Sequence, residues 1–263
     1  CIRDRSNTDV RGSIRIFMKI IISPAKKMNV DTDCLPIQGL PKFLPEAERL
    51  CEEIRGYTYQ EQKTLWKCND KIATLNMERF RDMNLKTSLT PAILSYEGLQ
   101  YQHIAPQVFT EKELTYIQEH LCILSGFYGV LKPFDGVTPY RLEMGTKMAI
   151  EGCRDLYEFW GDKLYQSVMD EDGTIINLAS KEYSQSISKY ILPKDRFITV
   201  EFGEVHNGKV KQKGTFSKMA RGEMVRYMAE NQIEDVEKIK EFHVMGLQYA
   251  EEFSDVNKIV FTI

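Results

Sequence analysis

The chain has 263 residues, of which 43% are hydrophobic and 28% are charged, and its formal net charge at pH 7 is −3. This composition is ordinary for a globular protein and excludes an intrinsically disordered chain. A transmembrane helix is also excluded, because apolar runs such as Ile20-Ile21-Ile22 fall far short of the about 20 residues that span a bilayer. We therefore predict no membrane partner.

The six cysteines are scattered along the chain, with no C-x-x-C pair. A disulfide framework is typical of short secreted chains, and a zinc site needs closely spaced ligands. The pattern therefore favours single buried thiols in a reducing cytoplasm.

Residues 1–17 differ from the rest of the chain. Four arginines interrupt every apolar stretch there, which excludes the apolar core of a signal peptide. Met18 stands directly before a strand-like run. We expect residues 1–17 to be a non-native or disordered leader and residues 18–263 to form the domain.

In chain order, periodicity and capping signals predict helices and strands that mix without a regular βαβ repeat. The predicted strands are Met18–Ser23, Ala92–Tyr96, Thr174–Leu178, Phe197–Phe202, Val210–Phe216 and Ile259–Ile263, and Asp31–Pro45 reads as a loop. The predicted helices are Glu46–Ile54, Thr58–Trp66, Lys71–Arg81, Thr110–His120, Asp155–Val168, Ser217–Met228 and Val236–Phe242. In the helix Lys71–Arg81, the predicted apolar stripe is Ile72, Leu75 and Phe80. This mixture favours an α+β or irregular α/β fold, a single domain with a mixed sheet, over a doubly wound sheet.

Three local signals support these elements. Glu61 and Glu113 follow Thr58 and Thr110 at the spacing of a capping box, which starts a helix. The Asn207-Gly208 step is a strong hairpin signal. In the helix that opens at Asp155, the spacing of Leu156, Phe159, Trp160 and Leu164 predicts a core-facing stripe.

Charge is distributed unevenly. Lys181 to Arg226 contains ten basic and five acidic residues, whereas Glu230 to Asp255 contains eight acidic and two basic residues. A basic stretch followed by an acidic one fits a nucleic-acid interface, and it fits two solvated faces equally well.

The common cofactor and catalytic motifs are absent. The chain has no G-x-G-x-x-G turn, no P-loop, no G-x-S-x-G, no H-E-x-x-H, and its four histidines lie far apart. We therefore predict no cofactor and no metal site. The sequence identifies no catalytic residue, although a triad can assemble from distant positions.

Two segments that follow predicted strands are candidates for anion binding, because ligand groups gather at the carboxyl ends of strands in α/β sheets. Ser23 and Lys26 follow the first strand and could hold a phosphate or a carboxylate. Asn177 and Ser180 follow the strand at Thr174–Leu178. For Lys26 the alternative is a lysine in an ordinary surface turn.

Leu121–Met144 is the segment richest in candidate residues. Gly126 and Gly129 flank Phe127-Tyr128, and glycines at this spacing let backbone N–H groups approach a phosphate. The remaining candidates of the segment are Tyr128, Lys132, Tyr140, Arg141 and Glu143. The alternative is an apolar turn with a structural contact between Arg141 and Glu143.

A fourth segment is the helix after the hairpin. Lys218 and Arg221 lie three residues apart and therefore share a face of that helix, next to Gly222. This face suits an anion, and the alternative is an exposed basic helix face.

Six segments together resemble the YaaA family of bacterial peroxide stress proteins. They occur in the family's order between Met18 and Ile263, and they are Ile22–Lys26, Leu124–Pro133, Pro139–Met144, Leu156–Asp162, Ile176–Ser180 and Lys218–Gly222. The resemblance implies a role in resistance to hydrogen peroxide with lowered free intracellular iron. It also implies a fold with a helix-hairpin-helix element and non-specific binding of duplex or branched DNA in a positively charged cleft. The nearest local match to that element is Leu121–Gly129.

Two functions are consistent with these observations. A DNA-binding protector would need a continuous basic groove formed by Lys26, Lys132, Arg141, Lys218 and Arg221. An enzyme acting on a small phosphorylated or carboxylated substrate would instead need a closed polar pocket of a few hundred Å³. Direct iron binding is disfavoured because the sequence supplies no oxygen-rich or histidine-rich cluster.

Overall fold

The computed structural model describes residues 18–31, 35–169 and 173–263. The prediction for residues 1–17 therefore lies outside the described residues. The strands are β1 Met18–Ile22, β2 Lys27–Met28, β3 Thr90–Pro91, β4 Tyr96–Glu97, β5 Leu121–Ser125, β6 Gly129–Leu131, β7 Gly136–Val137, β8 Thr174–Asn177, β9 Arg196–His206, β10 Lys209–Lys211, β11 Gln248–Tyr249 and β12 Lys258–Thr262. The helices are α1 Leu44–Gly56, α2 Tyr59–Trp66, α3 Asp70–Asp82, α4 Ala92–Ser95, α5 Leu99–Ile104, α6 Glu111–His120, α7 Leu156–Trp160, α8 Lys163–Val168, α9 Lys181–Ser188, α10 Gly214–Glu230 and α11 Val236–Ile239, with 3₁₀ turns at Pro106–Val108, Val244–Gly246 and Glu251–Phe253.

One mixed sheet organises the fold, with strand order β11-β12-β9-β8-β1-β5-β6 and β10 paired to β9. The five central strands from β12 to β5 are parallel, and β6, β10 and β11 add antiparallel pairs. The apolar runs of β1 and β5 are buried along most of their length, as expected for parallel strands covered on both faces. The predicted fold class, an irregular α/β domain with a mixed sheet, is confirmed.

Helices cover the sheet and position its edge. Helix α6 packs on β1 and β5, while α10 packs on β9 and on α5. The contact between α10 and α5 is close because Gly222 has no side chain. A Cβ atom at Gly222 would lie 2.3 Å from the Gln100 carbonyl oxygen. Gly222 therefore serves helix packing rather than the approach of an anion.

Several sequence signals match the structure closely. Thr58 and Thr110 begin α2 and α6 with complete capping boxes. Asn207 and Gly208 turn the β9–β10 hairpin with positive φ angles of 51° and 71°. The predicted core stripe of Leu156, Phe159, Trp160 and Leu164 is buried. It lies on two helices rather than one, because Gly161, at φ 52°, ends α7 before α8 begins.

Four predictions about local structure are wrong. The predicted strand Val210–Phe216 ends at Lys211, and helix α10 begins at Gly214. Ala92–Tyr96 forms the one-turn helix α4 followed by β4, because the Ala92 and Ile93 N–H groups donate to the carbonyls of Asp135 and Pro133. Leu75 is 47% exposed and does not belong to the buried face of α3. Leu121–Gly129 is not a helix-hairpin-helix, because residues 121–131 form the antiparallel pair β5–β6.

Within the described ranges, no helix is long and apolar enough to cross a membrane.

Candidate functional site

The candidate site lies at the carboxyl edge of the parallel strands. Ser23 follows β1 and Ser180 follows β8, and these two strands are neighbours in the sheet. The backbone N–H of Ser180 donates to Ser23 Oγ at 2.8 Å, and the two hydroxyl oxygens are 3.2 Å apart. The Tyr101 hydroxyl donates to the Ser23 carbonyl at 2.9 Å. Ser23 and Ser180 thus lie together at one edge of the sheet.

A pocket of about 380 Å³ opens at this edge. Its polar lining residues are Ser23, Lys26, Glu97, Gln100, Tyr101, Tyr140, Arg141, Glu143, Ser180, Glu182, Tyr183, Lys218 and Arg221. They come from the ends of β1 and β4, from α5, from residues 140–143, from the start of α9 and from α10. The pocket is thus built where six elements and segments of the chain meet, and its volume suits a small molecule.

Arg141 and Glu143 form a partly enclosed charged pair in the pocket. Their side chains are 14% and 28% exposed, and Arg141 Nη2 lies 3.3 Å from Glu143 Oε1. The same oxygen lies 2.9 Å from Lys26 Nζ, whose side chain is 65% exposed. Neither contact has hydrogen-bond geometry. Glu143 Oε1 is therefore ion-paired with Arg141 and Lys26 but accepts no hydrogen bond. The guanidinium fork of Arg141 is therefore not engaged in a paired, bidentate contact.

Helix α10 contributes the second basic group. Lys218 is exposed, whereas Arg221 is half-buried, and burial lowers the pKa of its guanidinium. Arg221 is drawn inward because Gly222, the next residue, brings α10 against α5. The nearby Glu201 carboxylate partly offsets the cost of burying this cation, and a ligand that supplies negative charge would offset more of it.

The hydrogen-bonding groups of the pocket are incompletely satisfied. Six buried side-chain polar atoms of the described residues have no hydrogen-bond partner, and four of them belong to residues that line this pocket. These four atoms are Gln100 Nε2, Arg141 Nε, Arg221 Nε and Glu143 Oε1. Glu143 Oε1 is ion-paired with Lys26 and Arg141, so the three donors are the groups without any partner. Buried polar groups are normally bonded, and three such donors on residues of one pocket indicate that its natural partner is a polar molecule with acceptor atoms.

Tyrosine rings form the pocket wall. Tyr140 stacks on Phe127 with centroids 4.9 Å apart, and its hydroxyl lies 2.6 Å from Ser125 Oγ and 2.7 Å from the Tyr96 hydroxyl. Burial raises the pKa of Tyr140 to about 12 and that of Tyr101 well above its usual value. These hydroxyls are therefore neutral, held by the protein, and part of a rigid wall.

Five predicted site residues lie outside the pocket. Trp160 Nε1 donates to the Gly126 carbonyl at 3.0 Å, and a Cβ at Gly126 would lie 2.7 Å from the Leu142 carbonyl oxygen. At Gly129, with φ 73°, a Cβ would lie 2.9 Å from side-chain atoms of Leu164 and Trp160. Both glycines therefore serve core packing.

The other three residues also have different surroundings. The Tyr128 hydroxyl is buried 3.2 Å from Thr138 Oγ1, and Asn177 bonds Thr199 and the Ala179 N–H. Lys132 is exposed and is not part of the pocket lining. The continuous groove that would have included Lys132 is therefore not formed by this pocket.

Sequence reasoning missed Glu97, Gln100, Tyr101, Glu182 and Tyr183. No motif marks these residues, and Glu97 to Tyr101 reach the pocket only through the packing of α5 against α10. Glu97 is paired with Lys27 at 2.6 Å, and Glu182 accepts a bond from the Gly145 N–H at 2.9 Å. The lining thus carries four cationic and three anionic side chains, with two of the carboxylates bound elsewhere as well.

In the described part of the chain, no group of three or more His, Cys, Asp or Glu residues is arranged to hold a metal ion.

Comparison with known proteins identifies the family. A family model described as peroxide stress protein YaaA matches residues 18–253. The chain belongs to this family. It is 52% identical to a UPF0246 protein of Lachnoclostridium phytofermentans, over 93% of this chain and 96% of that protein. It is 53% identical to a UPF0246 protein of Agathobacter rectalis, over 93% of this chain and 98% of that protein. The resemblance inferred from six sequence segments is confirmed.

Proposed function

We propose that this chain acts in peroxide stress protection by binding a small anionic molecule, phosphorylated or carboxylated, in the pocket at the sheet edge. The observation that carries the proposal is the group of unpartnered donors, Gln100 Nε2, Arg141 Nε and Arg221 Nε, around one cavity. An anion supplies several acceptor oxygens at once, and charge-assisted bonds to arginine are among the strongest that proteins form.

The shape of the pocket supports a small ligand over a nucleic-acid backbone. A volume of about 380 Å³ matches a metabolite. Three carboxylates share the lining with the four cations, whereas a phosphate-backbone groove is usually dominated by lysine and arginine. The mixed charge suits a ligand recognised at several points.

Isothermal titration calorimetry at low salt tests this proposal, with inorganic phosphate and glutarate as probes. We expect saturable binding of at least one of them, with one site per chain. Arg141→Lys keeps the charge but loses the fork, so it should weaken binding by about tenfold or more. The control is Arg154→Lys, because Arg154 is 81% exposed outside the pocket.

Three results separate the possibilities for Arg141. Weakened binding with normal folding supports its role in the pocket. A lowered melting temperature with unchanged binding would mean that Arg141 only supports Glu143. The absence of any anion binding by the wild-type protein would refute the proposed function.

DNA binding is a second candidate function. The observation that favours it is the set of exposed lysines on the β9–β10 hairpin and at the start of α10, namely Lys209, Lys211, Lys213 and Lys218. We propose non-specific binding of duplex or branched DNA through this face, in the micromolar range typical of phosphate contacts. Fluorescence anisotropy at two salt concentrations tests it. Binding that is absent at low salt, or indifferent to salt, would contradict it.

We extend the proposal to the family's link with free iron and to the location of the protein in the cell. We attribute the family's link with lowered free iron to an indirect effect of ligand or DNA binding, not to iron ligands in this chain. We place the protein in the cytoplasm, where thiols such as Cys51 and Cys153 remain reduced.

A further inference from the structure

The contact between Arg141 and Glu143 presents a donor and an acceptor side by side. Arg141 Nε is a buried donor without a partner, and Glu143 Oε1 is a buried acceptor without a hydrogen bond. The two side chains touch, because Arg141 Nη2 lies 3.3 Å from Glu143 Oε1. A ligand that carries an acceptor and a donor next to each other therefore suits this pair of side chains.

An ammonium group already occupies the acceptor position. Lys26 Nζ lies 2.9 Å from Glu143 Oε1, on a side chain that is 65% exposed and therefore able to move away. The position beside Oε1 is thus compatible with a cationic nitrogen. An α-amino acid has this pattern, since its carboxylate and its ammonium group are attached to one carbon atom.

A second basic group lies in the same pocket. Lys218 and Arg221 come from α10, and Gln100, a buried residue of α5, adds a side-chain amide whose Nε2 has no hydrogen-bond partner. These three side chains suit a second anionic group on the ligand. The lining has one more positive than negative side chain, which complements a ligand of net charge −1.

We propose that the pocket binds an acidic amino acid or a close derivative of one. Arg141 binds its α-carboxylate, Glu143 binds its ammonium group in place of Lys26, and Arg221 with Gln100 binds its side-chain anion. This inference rests on the proposed function, because it names the class of anion that the pocket takes.

Matched pairs of probes test the inference in the wild-type protein by calorimetry. L-glutamate is compared with glutarate, and L-aspartate with succinate, so that each pair differs only in the amino group. In at least one pair the amino acid should bind about tenfold or more tightly than its deaminated counterpart, as a charge-assisted bond to Glu143 predicts. Equal or weaker binding of the amino acid in both pairs would overturn the inference.

The outcomes distinguish this inference from the proposed function. If glutarate or phosphate binds but the amino group brings no gain, the inference fails and the proposed function stands. If no probe binds, the proposed function itself fails.

Glu143→Gln identifies the group that recognises the amine. The variant should bring the affinity ratio between glutamate and glutarate close to one, because a neutral amide loses the charge attraction. The control is Glu97→Gln, which also removes a pocket carboxylate but one already paired with Lys27. A ratio unchanged in Glu143→Gln, or abolished equally in Glu97→Gln, would overturn the assignment. The ratio is measured within each variant, so a general loss of stability does not mimic the effect.

Discussion

Trp160 should be among the most destabilising positions to truncate, and the structure gives the size of the effect. Its side chain is fully buried and lies edge-on to Phe43 and Phe159, with centroids 5.6 and 5.1 Å away. Truncating a buried tryptophan to alanine costs about 3–5 kcal/mol of unfolding free energy, mainly through the cavity it leaves. The Trp160 Nε1 bond to the Gly126 carbonyl is lost as well.

Trp160→Phe separates the two contributions. Phenylalanine keeps much of the aromatic volume but cannot donate to Gly126, so this variant should cost about 1–3 kcal/mol for the unsatisfied carbonyl and the smaller ring. Trp160→Ala should cost clearly more. The measurement is the urea concentration at the midpoint of unfolding, monitored by circular dichroism, for both variants and the wild type. An unchanged midpoint in Trp160→Ala would refute the view that this helix face is core.

The remaining predictions concern Asp135, Gly222 and Leu75. Burial raises the pKa of the Asp135 carboxyl to about 6. Its ionised form is therefore disfavoured in the folded state, and stability should fall as pH rises, by roughly 1 kcal/mol between about pH 5 and 7. Asp135→Asn should remove that part of the slope, seen in melting temperatures at both pH values; an identical slope in the variant would contradict it. Gly222→Ala should lower the melting temperature, because the new Cβ would overlap the Gln100 carbonyl; an unchanged melting temperature would show that α10 and α5 separate easily. Leu75→Ser should change the free energy of unfolding by less than about 0.5 kcal/mol, because Leu75 is exposed; a larger decrease would show that Leu75 packs in the core.

Elements with a strong local signal were predictable from the sequence. The capping boxes at Thr58 and Thr110 fix helix starts through hydrogen bonds within four residues, and Asn207-Gly208 fixes a turn through its own backbone preference. Such signals need no information from the rest of the fold. The strands β1 and β12 were predicted for a related reason, because their apolar runs are rich in β-branched residues and favour a buried strand.

Short elements that depend on distant partners were not predictable. The run Ala92-Ile93-Leu94 fits a strand or a helix equally well. It forms a helical turn because its N–H groups donate to Asp135 and Pro133, about forty residues away. Likewise, Gly126 and Gly129 resemble a phosphate-binding turn in sequence, but the packing of Trp160 and Leu142 against them assigns them to the core.

The candidate site was predictable in part for the same reason. Ser23 and Ser180 follow buried strands, and the rule that ligands gather at the carboxyl ends of parallel strands places them together. Gln100 and Glu97 belong to no recognisable motif, so only the packing of α5 against α10 reveals them. The charge pattern of the sequence indicated a basic face, but it could not show that three carboxylates share the lining.

The most direct test of the central claim, that this pocket is an anion site, is a calorimetric titration of two matched arginine variants. Arg221 lines the pocket with an unpartnered Nε, whereas Arg226, one turn further along α10, is paired with Glu230 at 2.7 Å. Phosphate or glutarate should bind Arg221→Lys about tenfold or more weakly than wild type, and Arg226→Lys should match wild type. Equal affinity in both variants and the wild type would contradict the claim.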